Sequence, residues 1–120
     1  MSKQRLLVGM ALAAFLLVAG NLAALQETTL TGELVDKACF VDQGLHGPDH
    51  EACAKRCAKR GQPMGLLTDD GLVMLAVSDG SSEHESLKAL AGQMATVTGT
   101  LAEEDGVETL TVTGVEAASN

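Results

Sequence analysis

The chain has 120 residues, of which 16 are acidic and 8 are basic, and a formal net charge of −8. All the acidic residues follow residue 24, whereas Lys3 and Arg5 precede it, so the chain beyond residue 24 has a net charge of −10. So acidic a chain is a poor nucleic-acid binder, because that binding depends on neutralising phosphates with Lys and Arg. Roughly 95 residues fold as one small domain, which a covalent or metal cross-link would help to stabilise.

The first 24 residues have the layout of a secretory signal peptide. Lys3 and Arg5 form a short basic region, an apolar run spans Leu6–Gly20, and small residues follow at Ala23 and Ala24. This pattern predicts export to the periplasm or the exterior, with cleavage after Gly20 or Ala24. An uncleaved anchor running to Leu25 is the alternative, and it is the only membrane association that the sequence predicts.

The next elements are a strand and a helix separated by a loop. Thr28–Lys37 alternates in polarity and is rich in β-branched residues, which predicts a strand with Gly32 at a bulge or sharp bend. A helix is expected to begin at Pro48, where a missing N–H has no cost, and to end at Gly61.

The remainder of the chain predicts four further strands and a second, short helix, separated by turns at Asp70-Gly71 and Asp105-Gly106. In chain order the predicted elements are strands at Met64–Thr68 and Leu72–Ser78, a helix at Ser82–Ala91, and strands at Gln93–Ala102 and Val107–Val115.

Five strands with a helix between the third and the fourth follow the element order of an OB-fold barrel. The predicted fold class is therefore mainly β, with the cysteine-bearing helix inserted between strands one and two. An open five-stranded sheet with the same connectivity is the alternative. Residues 25–120 form a single domain in either case, with a Cys/His-rich insertion at residues 39–65.

All three cysteines lie in this insertion, and two of them share a helix face with a histidine. At about 100° per residue, His50, Cys53 and Cys57 fall within an arc of roughly 60°. The opposite side of the helix is cationic, with Lys55, Arg56, Lys59 and Arg60. One face therefore offers soft ligands and is expected to pack against the barrel, because the opposite face is cationic and solvated.

Three interpretations of the cysteines remain open. A disulfide from Cys39 to Cys53 or Cys57 would suit an exported protein, but it leaves an odd thiol that needs a reason. A metal or haem site would use Cys39, Cys53, Cys57 and His50, with His46 in reserve, and zinc or copper(I) would suit these ligands. Thiol redox chemistry is the third. Asp36, near Cys39, could orient a metal ligand through a hydrogen bond, but an Asp at the end of a strand more often forms a turn.

Four segments together resemble a family of small exported bacterial proteins of unknown function. They are GELVDKACF, HEACAKRCAKRGQPMG, DGLVML and ATVTGTL, and the resemblance spans about residues 30–115. It implies an OB-like barrel with a three-cysteine site at Cys39, Cys53 and Cys57 and with His50 in the matching region. Two positions depart from the family pattern: Met74 stands where an aromatic is common, and His46 lies in a loop of variable length.

The sequence therefore predicts two functions of different classes. The first is an exported binding module that takes a soft metal ion or a metal cofactor on its Cys/His site. The second is a structural domain with a disulfide, in which a free thiol or the basic helix face contacts a protein partner. An enzyme is not expected, because the chain contains no nucleophile elbow, P-loop or dinucleotide fingerprint.

Overall fold

The computed structural model of the chain describes residues 27–118. The predicted signal peptide and its cleavage position lie outside these residues. Within residues 27–118, no helix is both long enough and apolar enough to span a membrane.

Five strands and two α-helices make up most of the described chain. They are β1 (Glu27–Asp36), α1 (Glu51–Lys59), β2 (Met64–Thr68), β3 (Gly71–Ala76), α2 (Ser82–Ala89), β4 (Met94–Glu104) and β5 (Val107–Ala117). Two short helical turns precede α1, a π-helical turn at Lys37–Val41 and a 3-10 turn at Pro48–His50. The helix predicted to begin at Pro48 is thus divided, with its regular part beginning at Glu51.

The strands form a closed barrel in the order β1-β2-β3-β5-β4, with β4 returning to pair with β1. The β3–β5 pair is parallel, and the other pairs are antiparallel. This confirms the predicted OB-like barrel, and the open-sheet alternative is wrong. As predicted, α1 is inserted between β1 and β2, and α2 lies between β3 and β4.

The first strand closes the barrel because it pairs along one half with β4 and along the other with β2. Glu33 is the changeover residue and faces Met94 on one side and Leu67 on the other. Gly32 lies next to it, and a Cβ there would overlap the carbonyl oxygen of Leu67. The bend predicted at Gly32 is therefore a position where the neighbouring backbone leaves no room for a side chain.

The core is formed by the inward-facing residues of the strands, with the two helices packed against it. Leu34, Val97 and Leu110 are completely buried, and Leu87 of α2 is also without exposure. Leu34, Val97 and Val112 belong to the same buried cluster, as the predicted barrel requires. Successive side chains of a strand point to opposite faces, so Asp36 lies on the same face of β1 as Leu34. The strand therefore ends with a buried carboxylate.

The Cys/His-rich insertion leaves the barrel and returns to it at adjacent positions. Asp36, the last residue of β1, is the register partner of Met64, the first residue of β2. One step further out, the Lys37 amide donates to the Pro63 carbonyl at 2.9 Å. The insertion therefore lies over one end of the barrel, held at its base by a continuation of the β1–β2 ladder.

Candidate functional site

Cys39 is positioned by the π-helical turn that follows β1. The Asp36 side chain caps this turn, because its Oδ2 atom accepts a hydrogen bond from the Cys39 amide at 3.0 Å. Beyond the turn, the Leu45 amide donates to the Cys39 carbonyl at 2.9 Å, which folds the following loop back. Cys39 is consequently fixed from both sides and is buried, with 7% of its surface exposed.

Cys53 and Cys57 lie one turn apart on α1, at the edge of its buried face. The most buried residues of the helix are Ala54 and Ala58, whereas both cysteines are half-buried. The sequence predicted that the cysteine face itself would pack on the barrel, but the alanine stripe does so instead. Because the two stripes are adjacent, the cysteines are left at the margin of the contact, partly open to solvent.

The rotation of α1 is fixed at its first turn. Glu51 accepts hydrogen bonds from Gln93 at 2.7 Å and from Lys55 at 3.0 Å. Gly92 has a φ of 84°, and a Cβ there would lie 2.6 Å from the Glu51 Cα atom. This close approach needs glycine and holds the helix against the α2–β4 connection.

The three thiols converge on one point between the π-helical turn and α1. The Cys39 and Cys53 sulfurs are 3.5 Å apart, and the sulfurs of Cys39, Cys53 and Cys57 all lie within 4.8 Å of one another. All three are free cysteines. Three soft donor atoms from two separate segments can therefore hold a metal ion.

The two predicted histidines lie beside this group without joining it. His50 is half-buried at the N-terminus of α1, and His46 is exposed in the preceding loop. Both line a small cavity together with Cys39 and Asp36. His46 is held by two contacts, its Nδ1 atom lying 3.6 Å from Glu33 and its ring meeting Phe40 edge to face at 5.6 Å. In residues 27–118, the group of converging ligand atoms contains sulfur only.

Burial and neighbouring groups both disfavour the thiolate forms of Cys39 and Cys57. The pKa of Cys39 is raised to about 12, first by its hydrogen bond with the Cys53 thiol, then by burial and by the Asp36 carboxylate. The pKa of Cys57 is raised by burial and next by Asp36. These thiols are therefore weak nucleophiles at neutral pH, which gives no support to thiol catalysis.

The cationic face of α1 is solvated, as predicted. Arg56, Lys59 and Arg60 are exposed, and the half-buried Lys55 pairs with Glu51.

Glu33 is the residue that the sequence did not point to. Its carboxylate accepts a hydrogen bond from the Gly47 amide at 2.7 Å and also contacts His46. Glu33 therefore holds the loop that precedes α1 against β1. No sequence signal marks this role, because Glu33 reads as an ordinary polar strand residue and its partners lie 13 and 14 positions away. The capping role of Asp36 did have a signal, since Asp36 and Cys39 have the spacing of a side-chain cap to the third residue of a turn.

Comparison of the chain with known protein families and with curated proteins gives no match. The site is therefore interpreted from its own chemistry.

Proposed function

We propose that this chain is an exported binding module that holds a soft metal ion through Cys39, Cys53 and Cys57. The observation that carries the proposal is the convergence of three sulfurs from two segments of the chain. Thiols brought together in this way offer the donor set that soft ions prefer over hard oxygen ligands. Export is proposed on the basic and apolar pattern of residues 1–24.

The spacing of the sulfurs supports a common ion. Thiolates about 2.3 Å from a zinc-sized ion lie roughly 3.8–4 Å from one another. The observed separations begin at 3.5 Å and do not exceed 4.8 Å, so an ion needs only small movements of the side chains. Cys39 lies on a capped turn and the other two on a short helix, which makes α1 the part that adjusts.

The choice between copper(I) and zinc depends on a fourth ligand. Copper(I) is satisfied by three thiolates, whereas a structural zinc site is tetrahedral. His50 is the side chain proposed to complete a zinc site, since it borders the cavity that Cys39 lines.

A structural disulfide is the second candidate, and the 3.5 Å approach of the Cys39 and Cys53 sulfurs favours that pairing. It would cross-link the insertion to the end of β1 and leave Cys57 as a free thiol. In that case the domain would have no ligand, and its stability would depend on oxidation.

Metal analysis of cysteine variants separates the two candidates. For metal binding, we expect one copper(I) or zinc per purified chain, and we expect Cys53→Ser and Cys57→Ser each to abolish it. His50→Ala should weaken zinc binding, while His84→Ala, a half-buried histidine on α2, is the matched control. For the disulfide, Cys53→Ser should cost about 2–5 kcal/mol in the free energy of unfolding, and Cys57→Ser should be nearly silent.

A further inference from the structure

We infer that the three-cysteine site is suited to a trivalent, thiophilic metalloid, taken up as arsenous or antimonous acid. This inference rests on the proposed function, since it requires the same three sulfurs to bind one centre. It goes further by naming the class of ligand, from the donor set, the charge around the sulfurs and the access to them.

The donor set is three sulfurs without a fourth partner in the described chain. The ring nitrogens of His46 and His50 are not among the converging atoms, and His46 is occupied by Glu33 and Phe40. Trivalent arsenic and antimony bind three sulfurs in a trigonal pyramid with the metalloid at its apex, and a lone pair occupies the position of a fourth ligand. They need no fourth ligand, whereas a tetrahedral ion would be left with an open position.

The charge around the site also favours a trivalent centre. The Asp36 carboxylate, 1% exposed, lies next to Cys39 and acts electrostatically on Cys57. No salt bridge to Asp36 is formed within residues 27–118. Three thiolates around copper(I) or zinc would add a net charge of −2 or −1 beside this carboxylate. Around arsenic(III) they add none, so the unfavourable interaction between like charges at low dielectric is avoided.

The binding step is a condensation without oxidation or reduction. Arsenous acid reacts with three thiols to form three S–As bonds, while three S–H and three As–OH bonds break. Each hydroxyl leaves with one thiol proton as water, so three waters are released. The arsenic stays trivalent and the sulfurs stay in the thiol oxidation state.

The positions of the three thiols allow a small uncharged solute to reach them. Cys53 and Cys57 are half-buried at the margin of α1, so an incoming molecule meets them first. Cys39 is buried behind them and supplies the third bond. Arsenous acid is neutral at pH 7, and it therefore reaches the acidic chain without electrostatic repulsion.

The test is a titration of the full chain, reduced with a phosphine, with sodium arsenite and in parallel with copper(I). Native mass spectrometry should show one arsenic per chain with the loss of three hydrogens. Each single Cys→Ser variant should lose this adduct and bind arsenite about 100-fold more weakly, because one of three linked donors is gone. The control His84→Ala, on α2, should leave arsenite affinity unchanged.

Asp36→Asn tests the charge argument while keeping an oxygen that can accept from the Cys39 amide. Copper(I) affinity should rise about tenfold, since a negative charge beside an anionic complex is removed. Arsenite affinity should stay within about threefold of that of the parent chain, because the neutral arsenic complex has no net charge to interact with residue 36.

The outcomes distinguish this inference from the proposed function. Copper(I) or zinc bound through all three cysteines, with no three-hydrogen arsenic adduct, overturns the inference and leaves the proposed function standing. An arsenic adduct that loses fewer than three hydrogens, or that survives in a Cys→Ser variant, also overturns it. If the reduced chain binds none of these ions, both proposals are wrong.

Discussion

The Cys39 thiol lies beside a second thiol and the buried Asp36 carboxylate, and this placement makes the stability of the reduced protein depend on pH. Its pKa in the folded chain is about 12, against an ordinary value of 9.0. Because the folded pKa is the higher one, the stabilisation is present below pH 9 and is lost as the pH rises towards 12. We expect the free energy of unfolding of the reduced chain to fall across this window.

Denaturant titrations at pH 8, 10 and 11 would measure this effect, and Cys39→Ser is the control that lacks the titrating thiol. The chain has no tyrosine, so the lysines and the remaining thiols of Cys53 and Cys57 are the background ionisations at these pH values, and both proteins contain them. An equal loss of stability in the variant and the parent would show that Cys39 is not responsible.

At the scale of single residues, the sequence predicted which side chains meet but not how they are oriented. Three cysteines in one insertion, two of them at helical spacing, were sufficient to predict that the sulfurs converge. The buried stripe of α1 was not predictable, because Ala54 and Ala58 lie next to Cys53 and Cys57 and both pairs have the i,i+4 spacing. The choice between them is made by the contacts of Glu51 with Gly92 and Gln93, which lie in another part of the chain.

Among the elements, β4 and β5 approach each other closely at Gly99. Gly99 is buried beside a register shift in the β4–β5 pair, and a Cβ there would overlap the Thr111 carbonyl oxygen. We expect Gly99→Ala to lower the free energy of unfolding by about 1–3 kcal/mol, as in other overpacked sites. Urea denaturation of the purified variant would measure the loss.

Gly114 provides the matched control, since it lies on the partner strand and is the register partner of Thr98. An alanine Cβ there would meet only the Thr98 side chain, at 3.8 Å, which is an ordinary contact. Gly114→Ala should therefore be nearly neutral. Equal losses at both positions would mean that general strand propensity, and not the Thr111 carbonyl, sets the cost.

The strands were predicted closely because turn residues mark their ends. β2 has the predicted bounds, and β3 and β5 begin within one residue of the predicted positions. The other strand ends differ from the predicted ones by one or two residues. β1 stops at Asp36, one residue early, because the Asp36 side chain caps the next turn. β4 extends to Glu104, since Asp105 and Gly106 alone make the turn, with φ values of 51° and 81°.

For the whole molecule, the order of strands and helices was enough to predict a barrel, whereas its closure depends on a contact between distant strands. Leu30 and Val97 are partners in the β1–β4 pair although they are far apart in the sequence. Gly32 of β1 and Gly99 of β4 lie where the backbone of a neighbouring strand comes close. Glycines inside strands were the available sequence signal for closure of the barrel. The sequence could not identify the ion, because zinc, copper(I) and arsenic(III) all bind cysteine thiols.

Export is the prediction that concerns the whole chain. If residues 1–24 act as a signal peptide, mass spectrometry of the protein recovered from the periplasm or medium should show a new N-terminus between Asn21 and Gln26. A chain that begins at Leu25 is the control and should stay in the cytoplasm of the producing cell. Intact Met1 in the soluble cytoplasmic fraction of cells making the full chain would contradict export.

The register of Asp36 with Met64 has a consequence for the mobility of α1 and for the proposed ion site. The two ends of the insertion meet at one register pair of the β1–β2 ladder, Asp36 and Met64. Outward movement of α1 therefore leaves every strand pair intact. Such a movement breaks the Glu51–Gln93 hydrogen bond and uncovers the two alanine side chains, which are the smallest apolar groups in the contact. It also carries Cys53 and Cys57 away from Cys39, which stays with β1. An ion held by all three cysteines, as proposed, would therefore exchange by movement of α1 and would not require the barrel to unfold.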